Sequence, residues 1–94
     1  MAKMGVAMLD EFVGEKVVVD FAGEFVAIGT LKRFDANFLE LKNVDLHDLR
    51  DTDSTRENYT VATRRIGIKR NRKKLIISRS EVIAIGKLDD VVDE

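Results

Sequence analysis

The chain has 94 residues, of which 45% are hydrophobic and 35% are charged, so we expect one small domain spanning residues 1–94. It contains no cysteine, which excludes a disulfide framework, a thiolate zinc site and a thiol nucleophile, and which is typical of a reducing, cytoplasmic compartment. No apolar run reaches the roughly 18 residues of a membrane span, and the first residues lack the long apolar centre of a signal peptide.

The charges are segregated along the chain, although the formal net charge is only −1. Residues 64–79 hold eight of the sixteen Lys and Arg residues and no acidic residue, whereas acidic residues concentrate in residues 45–57 and 89–94. An ordinary solvated surface mixes charges of both signs. The basic stretch therefore predicts contact with nucleic-acid phosphates, and its lack of aromatic residues argues against base stacking along it.

The first predicted element is a short helix of about two turns. Val6, Leu9, Phe12 and Val13 recur at the three- and four-residue spacing of a helix with one apolar face, and Gly14 follows.

A β-hairpin and a third strand are predicted next. Val17 and Val19 alternate with other residues, a turn at residues 22–23 follows, and a second strand begins at Phe25. Within that second strand, Gly29 marks a position where the sheet can bend sharply. A third strand carries apolar residues at 39 and 41 and then at 44 and 46, so this change of parity predicts a bulge near Asn43.

The remaining chain is predicted as a loop followed by three strands. Residues 47–58 are polar and predict the longest loop, and residues 59–69 have the composition of a strand. Residues 73–78 and 81–86 predict the last two strands. Since residues 82–85 are all apolar, we expect the last strand to be buried on both faces.

The predicted fold class is therefore mainly β: a short N-terminal helix plus a strongly bent five-stranded antiparallel barrel. An insertion at about residues 47–74 lies between the third and fourth strands.

From Leu9 to about Asp89, apart from the insertion, this pattern resembles the Sm-like (LSm/Hfq-type) family of RNA-binding ring proteins. The resemblance is carried by Gly14, the turn glycine Gly23 and the motif Gly29-x-Leu31-x-x-Phe34-Asp35. One extra residue separates Gly23 from Gly29, and the second motif has Ser78-Arg79 where the family usually has an Arg-Gly pair.

The resemblance implies an SH3-type barrel that assembles into a homo-oligomeric ring of about five to seven subunits. Such a ring would bind single-stranded RNA, as an RNA chaperone or a ribonucleoprotein scaffold. The implied base pocket consists of Asp35, Ala36, Asn37, Ser78 and Arg79. The basic stretch adds the predicted phosphate contacts Lys69, Arg70, Arg72, Lys73 and Lys74. The predicted oligomer interface consists of Leu75, Ile76, Ile77, Val82, Ile83 and Ile85.

Other functions are considered beside this one. His47 is the sole histidine, so one chain cannot assemble a Ser-His-Asp triad or a multi-His metal site, and we expect no enzyme, cofactor or metal. The acidic residues near it lack the regular spacing of a calcium loop. The break in the strand at Asp35 can also be a plain turn in which the carboxylate bonds its own backbone. The alternatives to RNA binding are a ring that serves as a protein scaffold and a monomeric interaction module.

Overall fold

The computed structural model describes residues 7–93, and its main element is one antiparallel sheet of five strands in the order β4-β3-β2-β1-β5. The strands are β1 (Lys16–Phe21), β2 (Phe25–Phe34), β3 (Phe38–Asp48), β4 (Arg72–Ser78) and β5 (Val82–Lys87). One α-helix, α1 (Arg56–Ile66), lies between β3 and β4. The prediction of a mainly β protein with five antiparallel strands and an insertion after the third is confirmed.

The concave face of the sheet carries the main core. Val17, Leu31 and Leu41 from the three central strands are fully buried there. Ile77 of β4 belongs to the same cluster, and Ile85 of β5 packs against it. Because β4 and β5 are the two edges of the sheet, their meeting in one cluster requires the sheet to curl strongly.

The bulge predicted near Asn43 is confirmed, and it lies opposite Gly29, the position at which the sequence predicts a bend. The register between β2 and β3 shifts between Ile28 and Thr30, and Asn43 adopts a positive φ of 53°. A Cβ atom at residue 29 would lie 2.9 Å from Cγ2 of Val44, so only glycine permits this close approach of the two strands.

The N-terminal helix is shorter than predicted. A 3₁₀ helix covers Met8–Phe12, and Leu9 and Phe12 pack against the core. Val13 lies beyond the helix and is 45% exposed. Val6, which the prediction included, lies outside the described residues.

The prediction of a strand at residues 59–69 is wrong, because most of this segment belongs to α1. The side chain of Thr55 accepts a hydrogen bond from the Asn58 amide and caps the start of the helix, and Gly67 ends it with a φ of 112°. The hydroxyls of Thr60 and Thr63 are buried, yet they donate to helix carbonyls at 3.0 Å, so residues with β-type composition are accommodated in a helix.

The predicted loop at residues 47–58 is also shorter than expected. Strand β3 continues to Asp48, a 3₁₀ turn covers Leu49–Asp51, and α1 begins at Arg56. The helix covers one half of the convex face of the sheet, where Tyr59 packs against the cluster of Val18, Val26 and Ile28.

Hydrogen bonds to the sheet hold both ends of the insertion. The Arg56 guanidinium donates to the Asp20 carboxylate at 3.0 Å and to the carbonyl of Gly23 at 2.9 Å. After the helix, the Asn71 side chain accepts from the Leu46 amide and donates to the Leu46 carbonyl, each at 3.0 Å. No helix among residues 7–93 combines the length and the apolar character needed to cross a bilayer.

Candidate functional site

Two turns that are far apart in sequence lie side by side at one end of the sheet. Residues 35–37 connect β2 to β3, and a 3₁₀ turn at Arg79–Glu81 connects β4 to β5. Phe38, which follows the first turn, pairs in the sheet with Ser78, which precedes the second turn. The two turns therefore lie next to each other. The Arg79 amide donates to the Asn37 carbonyl at 2.8 Å, and the Arg79 guanidinium donates to the Asp35 carbonyl at 2.5 Å.

Asp35 holds the shape of the first turn. One oxygen of its carboxylate accepts hydrogen bonds from the amides of Asn37 and Phe38, both at 2.8 Å. These hydrogen bonds, and to a lesser degree the positive charges of Arg79 and Arg33, lower the pKa of Asp35 below its usual value. The carboxylate thus acts as a local cap of the kind expected of a plain Asx turn.

Ala36 and Asn37 are exposed at the tip of this turn. The hydrogen bonds that hold Asn37 use its backbone amide and carbonyl, so its side-chain amide group is not part of them. Arg79 lies beside the turn with its guanidinium carbon 5.9 Å from the centre of the Phe34 ring. The pair offers amide and guanidinium groups to a ligand at this end of the sheet.

The structure divides the basic stretch among several elements. Lys69 and Arg70 follow α1, and the Arg70 guanidinium donates to the Asn43 side chain at 2.6 Å. Arg72, Lys73 and Lys74 lie on β4 and are exposed. The predicted phosphate contacts therefore come from two parts of the chain: β4 holds three of them, and the connection after α1 holds two.

The predicted interface residues fall into two groups. Ile77 is 5% exposed and belongs to the core of the single chain, and Leu75, Val82 and Ile85 are half-buried against that core. Ile76 and Ile83 are 54% and 70% exposed.

The expectation that β5 is buried on both faces is wrong for the single chain. Ile83 and Ala84 are both exposed, because a register irregularity opposite Asp20 and Phe21 turns residue 83 away from the core.

His47 lies on β3 rather than in a loop. Its ring stacks on the Tyr59 ring with centroids 4.1 Å apart and an angle of 8° between the planes. The Tyr59 hydroxyl donates to the Asp45 carboxylate, and burial, with this carboxylate, raises the pKa of Tyr59 above its usual value. These side chains attach α1 to β3 and belong to the packing of the fold.

A second cationic surface, of which only Lys74 belongs to the basic stretch, was missed at the level of sequence. We call it the convex-face patch; it consists of Lys32, Arg33, Lys42 and Lys74 around Glu40. Arg33 donates to the Glu40 carboxylate at 2.6 Å, and this bond chiefly lowers the pKa of Glu40. The signal was available in the polar positions of β2 and β3, since lysine and arginine dominate them between residues 32 and 42.

Comparison of this chain with protein-family models, with curated proteins and with solved structures gave no match. The resemblance to the Sm-like family stays a prediction, and the function has to be argued from the geometry.

Proposed function

We propose that this chain is an Sm-like protein that assembles into a homo-oligomeric ring and binds single-stranded RNA, without catalytic activity. The observation that carries the proposal is the pairing of the two turns through Arg79, Asn37 and Asp35. In the resembled family, the corresponding two segments face the central pore and contact RNA. Asn37 supplies a donor and an acceptor to a base edge, and Arg79 supplies positive charge.

The two edges of the sheet support ring assembly. Strands β4 and β5 each pair with one strand within residues 7–93, so each leaves an edge of backbone amides and carbonyls. Next to β4 lies an open groove of about 380 Å³, with Phe21, Phe25, Leu46 and Leu75 among its apolar lining residues. If β5 of a second copy paired with β4, the backbone of that β5 would form hydrogen bonds with the unpaired amides and carbonyls of β4. The apolar side chains of that β5, Ile83 among them, would then be covered.

The test is light scattering of the purified protein with and without oligouridylate, combined with fluorescence anisotropy of a labelled strand. We expect a mass of about five to seven subunits and binding without a change of ring size. A monomer at micromolar concentration would contradict the ring and favour the monomeric interaction module.

The phosphate contacts are tested by salt dependence. Changing Arg72, Lys73 and Lys74 together to Gln should lower the affinity for every RNA sequence and flatten the plot of log affinity against log salt. Each lost phosphate contact on a single strand changes this slope by about 0.7. An unchanged slope in the triple variant would reject the phosphate role of β4.

One observation favours the second candidate, a ring that serves as a protein scaffold. One Asp35 carboxylate oxygen and the Arg79 guanidinium both make hydrogen bonds within the chain, which leaves fewer polar groups at the turns for a base. A ring of the expected mass that binds no single-stranded RNA would establish the scaffold as the better explanation.

A further inference from the structure

We propose that the convex-face patch, with the neighbouring Phe38, is a second contact surface for single-stranded RNA. The RNA would reach this patch after it passes the turn at residues 35–37. This inference rests on the proposed function and extends its site from the turn to the outer face of the sheet.

The patch lies on a part of the sheet that α1 does not cover. Leu39 and Leu41 of β3 point into the concave core, so Glu40 and Lys42 between and after them point to the convex face. On that face, α1 packs over the half of the sheet that contains Val26 and Ile28. The half nearer the turn remains open, and the Lys32, Arg33 and Lys74 side chains there are 58%, 73% and 60% exposed.

The charge of the patch is unbalanced. Lys32, Arg33 and Lys74 contact the Glu40 carboxylate, and Lys42 lies beside Lys74, so four cationic side chains and one carboxylate give a net charge of +3. Lys42 lies directly opposite Lys74 on the neighbouring strand, and the same row continues through Thr30 to Lys16. Like charges placed opposite each other destabilise a sheet. A bound polyanion would remove this repulsion, so the arrangement favours an anionic ligand.

An exposed aromatic side chain accompanies the charge. Phe38 is 47% exposed and Ile76 is 54% exposed, and both line a shallow cavity of about 350 Å³ that also includes Arg33 and Glu40. Single-stranded nucleic acid is recognised by basic side chains together with aromatic rings on which its unpaired bases stack. Phe38 therefore favours single-stranded RNA over an acidic protein segment as the ligand.

The patch continues directly from the turn. Phe38 follows Asn37 in the chain, and Lys42 lies four residues further along β3, which corresponds to about 13 Å of extended strand. A ligand that contacts both Asn37 and Lys42 must therefore be longer than one nucleotide. We assign stacking of a base to Phe38 and phosphate contacts to Lys32, Arg33 and Lys42.

The experiment uses variants that leave the proposed turn and β4 contacts intact. The double variant Lys32→Gln/Lys42→Gln is compared with the control Arg50→Gln/Lys87→Gln, which removes the same charge from the 3₁₀ turn after β3 and from β5. Affinity for a labelled oligouridylate of about ten nucleotides is measured by anisotropy between 50 and 200 mM salt. Two lost phosphate contacts should flatten the slope by about 1.4 relative to the parent and the control. The parent should then lose about sevenfold more affinity over this range than the double variant does.

Stacking is tested with Phe38→Ala, and ring size is checked by light scattering. We expect an affinity loss of roughly fivefold to 150-fold with the ring unchanged. Failure of the proposed function has a different signature, because the parent itself would then bind no single-stranded RNA. If the parent binds and Asn37→Ala weakens binding, but both patch variants behave like the control, the inference alone is overturned. Equal competition by polyglutamate of the same total charge would also overturn it in favour of an acidic protein partner.

Discussion

Replacing Gly29 with Ala tests whether the close crossing of β2 and β3 at the bulge holds the bend of the sheet. The added Cβ atom would lie 2.9 Å from Val44 Cγ2, 3.1 Å from the Lys42 carbonyl oxygen and 3.2 Å from Val44 Cα. Val44 is fully buried and β-branched, so its methyl group cannot rotate away, and the other two atoms belong to the backbone. The strands must separate for the variant to fold.

The expected magnitude follows from two opposing effects. Overpacking of a core costs about 1–3 kcal/mol of unfolding free energy, whereas the loss of glycine freedom in the unfolded chain returns about 0.4–1 kcal/mol. We expect a net loss of about 1–2 kcal/mol. For a domain of this size, that lowers the melting temperature by roughly 4–16 °C.

The matched control is Gly86→Ala, because a Cβ atom at residue 86 would have no neighbour within 4 Å. Its stability should stay within about 0.5 kcal/mol of the parent or rise slightly. Both variants are compared by urea denaturation and thermal circular dichroism at one fixed protomer concentration, since the proposed assembly would make stability depend on concentration.

A double-mutant cycle with Val44→Ala assigns the cost to the clash. Removing Val44 Cγ2 makes room for the new methyl group, so the double variant should be more stable than the sum of the single effects by at least about 0.5 kcal/mol. If Gly29→Ala melts at the same temperature as the Gly86→Ala control, or if the effects of Gly29→Ala and Val44→Ala are strictly additive, a clash with Val44 does not limit the stability of Gly29→Ala.

Four further predictions concern the turn, the edge, the helix and the acid range. Asn37→Ala should change the sequence preference in RNA anisotropy while leaving the salt slope and melting temperature unchanged, because the side chain is exposed. Ile83→Lys should shift the mass in light scattering to the monomer and leave circular dichroism intact, since this side chain is 70% exposed in the single chain. Thr55→Ala should cost about 1 kcal/mol in urea denaturation through loss of the cap on α1, and Thr55→Ser should restore it. Hydrogen bonds from Arg50 lower the pKa of Asp48 from 3.8 to about 2, so the stability this carboxylate contributes is present above pH 4 and is lost as the pH falls towards 2.

Each of these predictions has an outcome that contradicts it. The base-reading role of Asn37 is rejected by unaltered sequence preference, and the edge pairing by an Ile83→Lys protein that keeps its full mass. Equal stability of Thr55→Ala and the parent would show that the cap does not limit the helix. Between pH 4 and pH 2, the free energy of unfolding of Asp48→Asn should fall less than that of the parent, and an identical pH dependence of the two proteins would remove Asp48 from the explanation.

Local patterns in the sequence determined the sheet. Alternation around Val17 and Val19 indicated β1, and the parity change after Leu41 located the bulge that the structure places at Asn43. These features could be predicted because a strand has a period of two, so that a single misplaced residue is visible in the sequence itself. The Asx turn at Asp35 was also within reach, because its hydrogen bonds span three residues.

Only the tertiary structure decided the features that depend on residues far apart in the chain. The composition of residues 59–69 favoured a strand, but the packing of Tyr59 on the sheet selects a helix. The register of β3 with β4 brings Arg79 to Asn37. The same sheet places Lys32, Arg33 and Lys74 around Glu40, although no local pattern links these positions. Strand register determines which side chains are neighbours across a sheet, and it is fixed only when the chain folds. Composition therefore located the positive charge on residues 64–79 but missed the convex-face patch, whose members come from β2, β3 and β4.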